Sequence, residues 1–442
     1  MSEWGKDLLN KGKQYMSSGS KDLNFHKDDF DSKYDLVKPM KKRGYFDDDP
    51  RNFPSVKSSL SKIDNQLTIF TGKSDRVIIK IDKEKPEVVI AAESINLKQE
   101  SNTLCIDSGD GSLGIVLGSM NKESKIFLYD QNVTKRSLSQ RNIDANPGLT
   151  KNVKSIDEEE LDNFSSNKSI DNVIFNISGY TALEYIKERL IFSKKILKPD
   201  GKFYCVTYKK SGAPTHEKIM GNIFGDENVN VIARGKGGYR VIEATNKLNI
   251  KEEVNNQLRK EISFSIFGKK FSVFTEAGLF SKDDLDVGTR TLLENTDLSS
   301  YRRLLDIGCG WGAVGLIASS INLNGEAVLT DVDTRAVRLA NLNAQHLGMG
   351  DRITALAVDD LKTASGNFDL ILSNPPFHAD TKTLTDIFKG ARDKLESGGK
   401  MFIVVEKSYL PKLENILDEA FGRHKIVNPE PINNFYILST SK

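Results

Sequence analysis

Short apolar runs alternate with longer segments of helical periodicity along most of the chain. In the first half, TLCI at 103–106, KIFLYD at 125–130, NVIFNI at 172–177 and KFYCVTY at 202–208 predict strands, being rich in β-branched and aromatic residues. TALEYIKERLIFSKKIL at 181–197 spaces its apolar residues as a helix does and stops at the turn-forming KPDG. In the second half, RLLDI at 303–307, EAVLTD at 326–331, RITALAV at 352–358, FDLILS at 368–373 and MFIVVE at 401–406 predict strands again. Helices are expected from Ala313, Arg335, Thr383 and Leu410, and LTDIFKGARDKLESGG ends on a glycine stop. Strand followed by helix, repeated, predicts α/β units of three layers.

Landmarks in the two halves recur at a near-constant distance. Asp107 and Asp306 are 199 residues apart and Asp130 and Asp331 are 201, while Asn176 to Asn374 and Gly201 to Gly399 are both 198. The order and spacing predict a duplication. Residues 1–50 carry ten basic and ten acidic residues with few core-forming runs, and read as an extension or adaptor with a short helix near Trp4 to Tyr15. LTIFTG at 67–72 and VIIKI at 77–81 read as strands, the second opening the first globular domain. The division expected is an extension at 1–75, a first domain at 76–250 and a second at 251–442.

With 38% hydrophobic and 28% charged residues, the chain as a whole is neither disordered, collagen-like nor membrane-embedded. Its 63 Lys and Arg against 61 Asp and Glu leave no strongly basic tail, yet permit local nucleic-acid patches. Cys105, Cys205 and Cys309 have neither disulfide nor metal-ligand spacing, so no metal and a reducing compartment are expected. The start MSEWGKDLLNKGKQY lacks the apolar segment of a leader or membrane span, which makes a cytoplasmic location the default.

The sharpest local chemistry lies in LLDIGCGWGAVG at 304–315, where Gly308, Gly310 and Gly312 stand between a strand and a helix. Glycines there permit a tight turn and close backbone approach by a nucleotide or nucleoside. Asp331 ends the next strand and is placed to accept from ribose hydroxyls, with helix capping as the bland reading; Asp333 is the better cap. Asp306 either bonds loop amides and positions the ligand or only supports the loop. Asp359 and Asp360 follow the third strand, and Asp359 is preferred for an adenine amino group because it follows the apolar run directly. FDLILSNPPFHAD at 368–380 ends a strand in Asn374, Pro375, Pro376, Phe377 and His378, setting an amide, two restricted prolines and an aromatic face where α/β enzymes form ligand crevices.

This combination resembles a class I S-adenosylmethionine-dependent methyltransferase acting on a planar nitrogen. From about residue 80 to 442 the chain resembles bacterial ribosomal RNA guanine-N2 methyltransferases, through FTEAGLFSKDDLDVGTRTLLE at 274–294, DIGCGWGAVG and SNPPFH. The resemblance implies tandem class I methyltransferase-like Rossmann domains, the first degenerate, behind a polar N-terminal extension. It implies S-adenosylmethionine as cofactor and ribosomal RNA or a ribosomal subunit assembly intermediate as partner. For a guanine amine, the Asn374 side-chain carbonyl and the Pro375 backbone carbonyl would accept its hydrogens and Phe377 would stack on the base, with Pro376 and His378 as candidate substrate contacts. Asp286, Gly288 and Thr289 match a segment that covers the cofactor in the family, with turn formation and capping as an equal reading. Two other functions stay open: methylation of adenine N6 or protein glutamine, and noncatalytic RNA binding or ribosome assembly.

The first repeat departs from this pattern at TLCIDSGDGSLG and at Asn176-Ile177-Ser178-Gly179-Tyr180, which lacks both prolines. It is expected to have lost catalysis and to position RNA or support its neighbour, with Asp107, Gly109, Gly111 and Asp130 as residual cofactor candidates. Phe264, Ile266, Phe267, Phe271, Val273 and Phe274 suit a packed hairpin better than an RNA path. Lys382, Lys389, Arg392 and Lys394 suit phosphate contacts or a solvated helix face equally, and KKSGAPTHEK at 209–218 reads as an exposed connection before an RNA-facing loop.

Overall fold

A computed structural model of the chain describes residues 85–177, 182–247 and 259–442, together with backbone strands at 56–61, 66–71 and 75–80. The helix expected near Trp4 to Tyr15, and Ser178 to Tyr180, lie outside the described residues. Val56–Ser61, Gln66–Thr71 and Asp75–Lys80 form an antiparallel sheet of their own, so VIIKI pairs with LTIFTG and does not enter the first α/β sheet.

Two seven-stranded sheets follow, both with strands in the order 3-2-1-4-5-7-6. In the first sheet the strands run Asn102–Ile106, Lys125–Tyr129, Val153–Ser155, Ile170–Asn176, Leu197–Tyr208, Val229–Arg234 and Tyr239–Thr245. In the second they run Arg303–Ile307, Glu326–Asp331, Ile353–Ala357, Phe368–Ser373, Leu395–Glu406, Lys425–Ile426 and Phe435–Ser441. Five parallel strands end in an antiparallel pair in each. Helices separate the strands and bury both faces of each sheet, which is why its central strands are almost wholly buried: Leu304, Leu305, Ile371 and Leu372 are all 0% exposed. The expected tandem α/β architecture is therefore present. A hairpin, Arg259–Ile266 with Lys269–Glu276, precedes the second sheet. Phe264 stacks on Phe271 at 5.4 Å and meets Trp311 at 5.8 Å, so these two are core as the alternation predicts, and Phe274 is partly buried against them; Phe267, at the hairpin turn, is instead exposed.

Pairing registers correct the sequence arithmetic. Cys105 faces Leu128 as Asp306 faces Leu329, so the offset through the first two strands is 201. Asp107 therefore stands opposite Gly308 in the repeat, not Asp306, whose place is taken by Cys105. Through the fourth and fifth strands the offset is 198, which keeps Asn176 with Asn374 and Gly201 with Gly399. The stretches KPDG and ESGG also differ from expectation. The preceding helices, Leu183–Ile196 and Thr381–Lys394, end first, and each stretch belongs to the fifth strand as a register shift.

The repeats meet through the same loop. Asn132 faces Asp333 in an antiparallel bridge, Val133 N donates to Val332 O at 2.8 Å, and Thr334 N donates to Gln131 O at 3.0 Å. Val133 and Thr334 are 201 residues apart, as are Gln131 and Val332, so exchanging the repeats turns one bond into the other, the self-complementary pattern of a two-fold interface.

Candidate functional site

In both sheets the strand order reverses between strands 1 and 4, and ligands of α/β proteins bind beyond the carboxyl ends at such a point. In the second sheet these ends carry the loop Gly308 to Gly312 and the segment Asn374 to His378. Ser373 Oγ donates to Ile307 O at 2.9 Å and ties the two strand ends together.

The glycine loop needs its glycines for two different reasons. Gly308, Gly310 and Gly312 have φ of 76°, 54° and 97°, a region side chains disfavour. A Cβ on Gly310 would meet nothing within 4 Å and one on Gly308 only Asn374 O at 3.9 Å, so this face opens onto space beside Asn374. Gly312 instead packs: a Cβ there would sit 3.0 Å from Leu316 Cδ1 and 3.2 Å from Ala340 Cβ. Asp331 accepts from Gly310 N and from Asp333 N, both at 2.9 Å, which fixes its carboxylate at the rim of the open face. Burial raises its pKa. Asp333 caps the helix Thr334–His346 by accepting from Arg335 N, as expected.

Asp306 faces inward. It is 1% exposed, its Oδ2 accepts from Gly315 N at 3.0 Å, and its Oδ1 has no partner among the described residues. Burial pushes its carboxyl up to about 7. Folding thus favours the protonated form: the stability Asp306 contributes is complete below the unfolded carboxyl value and is lost as pH rises through about 7. Asp306→Asn is expected to raise Tm at pH 8 and flatten the dependence of Tm on pH between 4 and 8; thermal melts across that range check it, and an unchanged slope counts against it.

Asn374 is held by two bonds from its amide nitrogen. Its Nδ2 donates to Asp286 Oδ2 and to Thr289 Oγ1, both at 3.0 Å. A carboxylate only accepts, so the NH₂ end must face Asp286, and Oδ1 points the opposite way as an acceptor. Asp286 also caps the helix Val287–Glu294, accepting from Thr289 N at 2.8 Å. Asp286 and Thr289, for which the family resemblance implies a cofactor-covering segment with capping as the equal reading, are therefore a helix cap joined to Asn374. Gly288 packs, since a Cβ there would lie 3.0 Å from Phe435 Cε1.

Past Asn374, Pro375 is buried and Pro376 exposed. Phe377 stacks on Tyr409 at 5.7 Å, and His378 Nδ1 lies 2.8 Å from the Tyr409 hydroxyl. Lys412 Nζ donates to the carbonyls of Phe377 (3.3 Å) and Ala379 (2.6 Å). Tyr409 and Lys412 carry no motif signal; only their place just after strand 5, next to strand 4, marks them.

Asp359 Oδ2 accepts from Ser137 Oγ of the first repeat at 2.7 Å, whereas Asp360 caps a short turn through Lys362 N. The four basic residues of the helix Thr381–Lys394 do not converge on the opening. Lys382 pairs with Asp386, Lys389 with Glu419, and Arg392 and Lys394 bond backbone carbonyls.

The first repeat keeps part of this plan. Asp130 accepts from Gly109 N and Asn132 N at 2.9 Å, as Asp331 does from Gly310 and Asp333. Asp107, however, replaces the first glycine. The Tyr185 hydroxyl lies 2.6 Å from Asp107 Oδ2 and accepts from Arg189 Nε at 2.8 Å, and Arg189 also bonds Gln131. Tyr185, Arg189, Asp107 and Gln131 are all buried, and the Arg335 guanidinium of the second repeat covers the Tyr185 ring at 4.6 Å. Side chains close the strand end that glycine leaves open in the second repeat.

Among the described residues no helix is long and apolar enough to cross a membrane, and no group of three or more His, Cys, Asp or Glu is placed to hold a metal. All three cysteines are buried and free; burial pushes the Cys105 thiol up to about 12.

The family model described as Methyltransferase small domain matches the chain twice, at 89–243 and 270–439. Ribosomal RNA small subunit methyltransferase C of Erwinia tasmaniensis is 35% identical over 164 residues, covering 36% of this chain and 46% of that protein. Uncharacterized protein YbxB of Bacillus subtilis is 32% identical over 187 residues, covering 41% of this chain and 90% of that protein. The chain thus spans about half the length of the first of these relatives. Among solved structures, a T. thermophilus 16S rRNA N2 methyltransferase in complex with AdoMet and guanosine matches with a TM-score of 0.68 at 20% identity, covering 85% of this chain and 98% of that one. That likeness shows the fold.

Proposed function

Because the chain belongs to the methyltransferase small domain family, matched over most of its length, we propose that its second repeat methylates the exocyclic N2 amine of a guanine in ribosomal RNA, with S-adenosylmethionine as donor. The observation that carries this reading is the fixed orientation of Asn374. With both amide hydrogens committed to Asp286 and Thr289, its Oδ1 is an acceptor waiting for an N–H donor at the switch point. The relatives' names supply the substrate class: ribosomal RNA of the small subunit for one, and 16S RNA with AdoMet and guanosine for the other.

The residues present fit the cofactor. In this reading the open face of Gly308 and Gly310 receives the nucleoside, Asp331, held by Gly310 N and Asp333 N, takes the ribose hydroxyls, and Asp359, which also accepts from Ser137, takes the adenine amino group. When bound, S-adenosylmethionine supplies an activated methyl group, so the protein needs no strong base. Its work is alignment. A guanine amine starts as a weak nucleophile because its lone pair is delocalised into the ring. Accepting its hydrogens at Asn374 Oδ1 and Pro375 O holds the nitrogen in place and favours the tetrahedral geometry that frees the lone pair. Phe377, backed by Tyr409, offers a face for the base once it leaves its stack. The proton lost from the amine passes to solvent. Action on ribosomal particles in the cytoplasm follows from this substrate.

Incubation with radiolabelled S-adenosylmethionine and, separately, ribosomal RNA, both subunits, transfer RNA and protein tests the assignment. N2-methylguanosine is the expected labelled nucleoside, with small-subunit RNA as its source. Label in N6-methyladenosine or methylglutamine would overturn the acceptor, and absence of all turnover would overturn the activity.

A further inference from the structure

We propose that the first repeat carries a docking surface for single-stranded RNA, built from the loops KKSG at 209–212 and RGKGGYR at 234–240. The proposal rests on the RNA-substrate reading above and gives the degenerate half a defined task.

The loops leave the ends of two paired strands. Tyr208 and Tyr239 are direct cross-strand partners, with ring centroids 5.0 Å apart. The turn between Arg234 and Tyr239 contains Gly237 and Gly238 at φ of 78° and 99°, and a Cβ on Gly238 would come within 3.2 Å of Lys209 Cβ, so the two loops touch. Lys209, Lys210 and Arg234 are exposed and have no ion pair among the described residues. Arg240 is partly offset by Glu217 at 3.8 Å. Across 205–218 and 231–240 the sequence has six Lys or Arg and one acidic residue, within a chain whose charge is nearly balanced.

The duplication provides an internal control. Tyr239 pairs with Tyr208 as Phe435 pairs with Glu406, so RGKGGYR stands where the second repeat has EPINNFY. The same turn there has no basic residue and one acidic one, and its Phe435 packs toward Gly288 beside the candidate site. The fold therefore does not need these cations. A paired aromatic platform flanked by unpaired cations matches a strand of RNA: bases stack on the rings and phosphates meet Lys and Arg.

The test uses the full chain and fluorescence anisotropy with labelled small-subunit ribosomal RNA and a single-stranded fragment, over a series of salt concentrations. Combined Lys209→Glu, Lys210→Glu and Arg234→Glu is expected to weaken binding at least about tenfold and to reduce the slope of log affinity against log salt by ~2. Tyr239→Ala is expected to cost about tenfold with little change in slope. Cofactor affinity by calorimetry should not move, and because the three charged positions are exposed, their variant separates binding from folding. If the wild type methylates ribosomal RNA while affinity and slope are unchanged in both variants, the docking surface falls and the methyltransferase assignment stands. A wild type that binds cofactor but no RNA would overturn both.

Discussion

Asn374→Ala is expected to lower kcat for methyl transfer by ~10³-fold while cofactor affinity stays within about twofold, since the lost interaction is made to the reacting amine. Single-turnover assays beside calorimetric titration of S-adenosylmethionine separate these effects. The side chain is half-buried, and its removal empties one position at a strand end without opening the core. Loss of cofactor binding in step with turnover would mean that Asn374 is a cofactor ligand, and the reading of its Oδ1 as the amine acceptor would fail.

The second large effect belongs to Asp286, which never touches the base in this scheme. Its carboxylate holds the Asn374 amide and also caps a helix, through bonds of 3.0 and 2.8 Å. Both bonds are accepted by the same oxygen, Oδ2, so Asp286→Asn keeps the shape but replaces a charged acceptor with a neutral amide one and weakens both bonds. Asn374 is then held less firmly in its orientation. A drop of ~10²-fold in kcat with unchanged cofactor affinity is expected from misplacement of this size. Asp286→Ala should add a stability loss of about 1 kcal/mol from the missing cap. If the segment instead covers the cofactor directly, KM for S-adenosylmethionine would rise in Asp286→Asn with kcat intact.

The difference between these two roles shows where sequence reasoning stops. Strands announce themselves locally: RLLDI, EAVLTD and FDLILS are apolar runs with clear ends, and the structure places them at the same residues. Asn374 is legible for a similar reason, because an amide followed by two prolines at the end of such a run suits a ligand crevice better than a plain turn. Its pairing with Asp286 and Thr289 is not, although both are candidates on their own, for they lie 88 and 85 residues away and meet it only in the folded chain. Tyr409 and Ser137 escape notice likewise. Each is an ordinary residue until folding sets it beside Phe377 or Asp359. The misjudged pairing of Asp107 with Asp306 has another cause. Matching identical residue types finds a repeat but not its register, and the register belongs to backbone hydrogen bonds, which set Asp107 where the second repeat has Gly308.

The loop contact between the repeats has a consequence for ancestry. Asn132 meets its own counterpart, Asp333, and the flanking bonds exchange when the halves are swapped. Such geometry is what two identical chains adopt when they pair about a two-fold axis. Joined in one polypeptide, the two copies were released from having to be alike. Tyr185 and Arg189 fill one strand end, a basic turn stands in the same repeat, and the other strand end has its glycines and its asparagine.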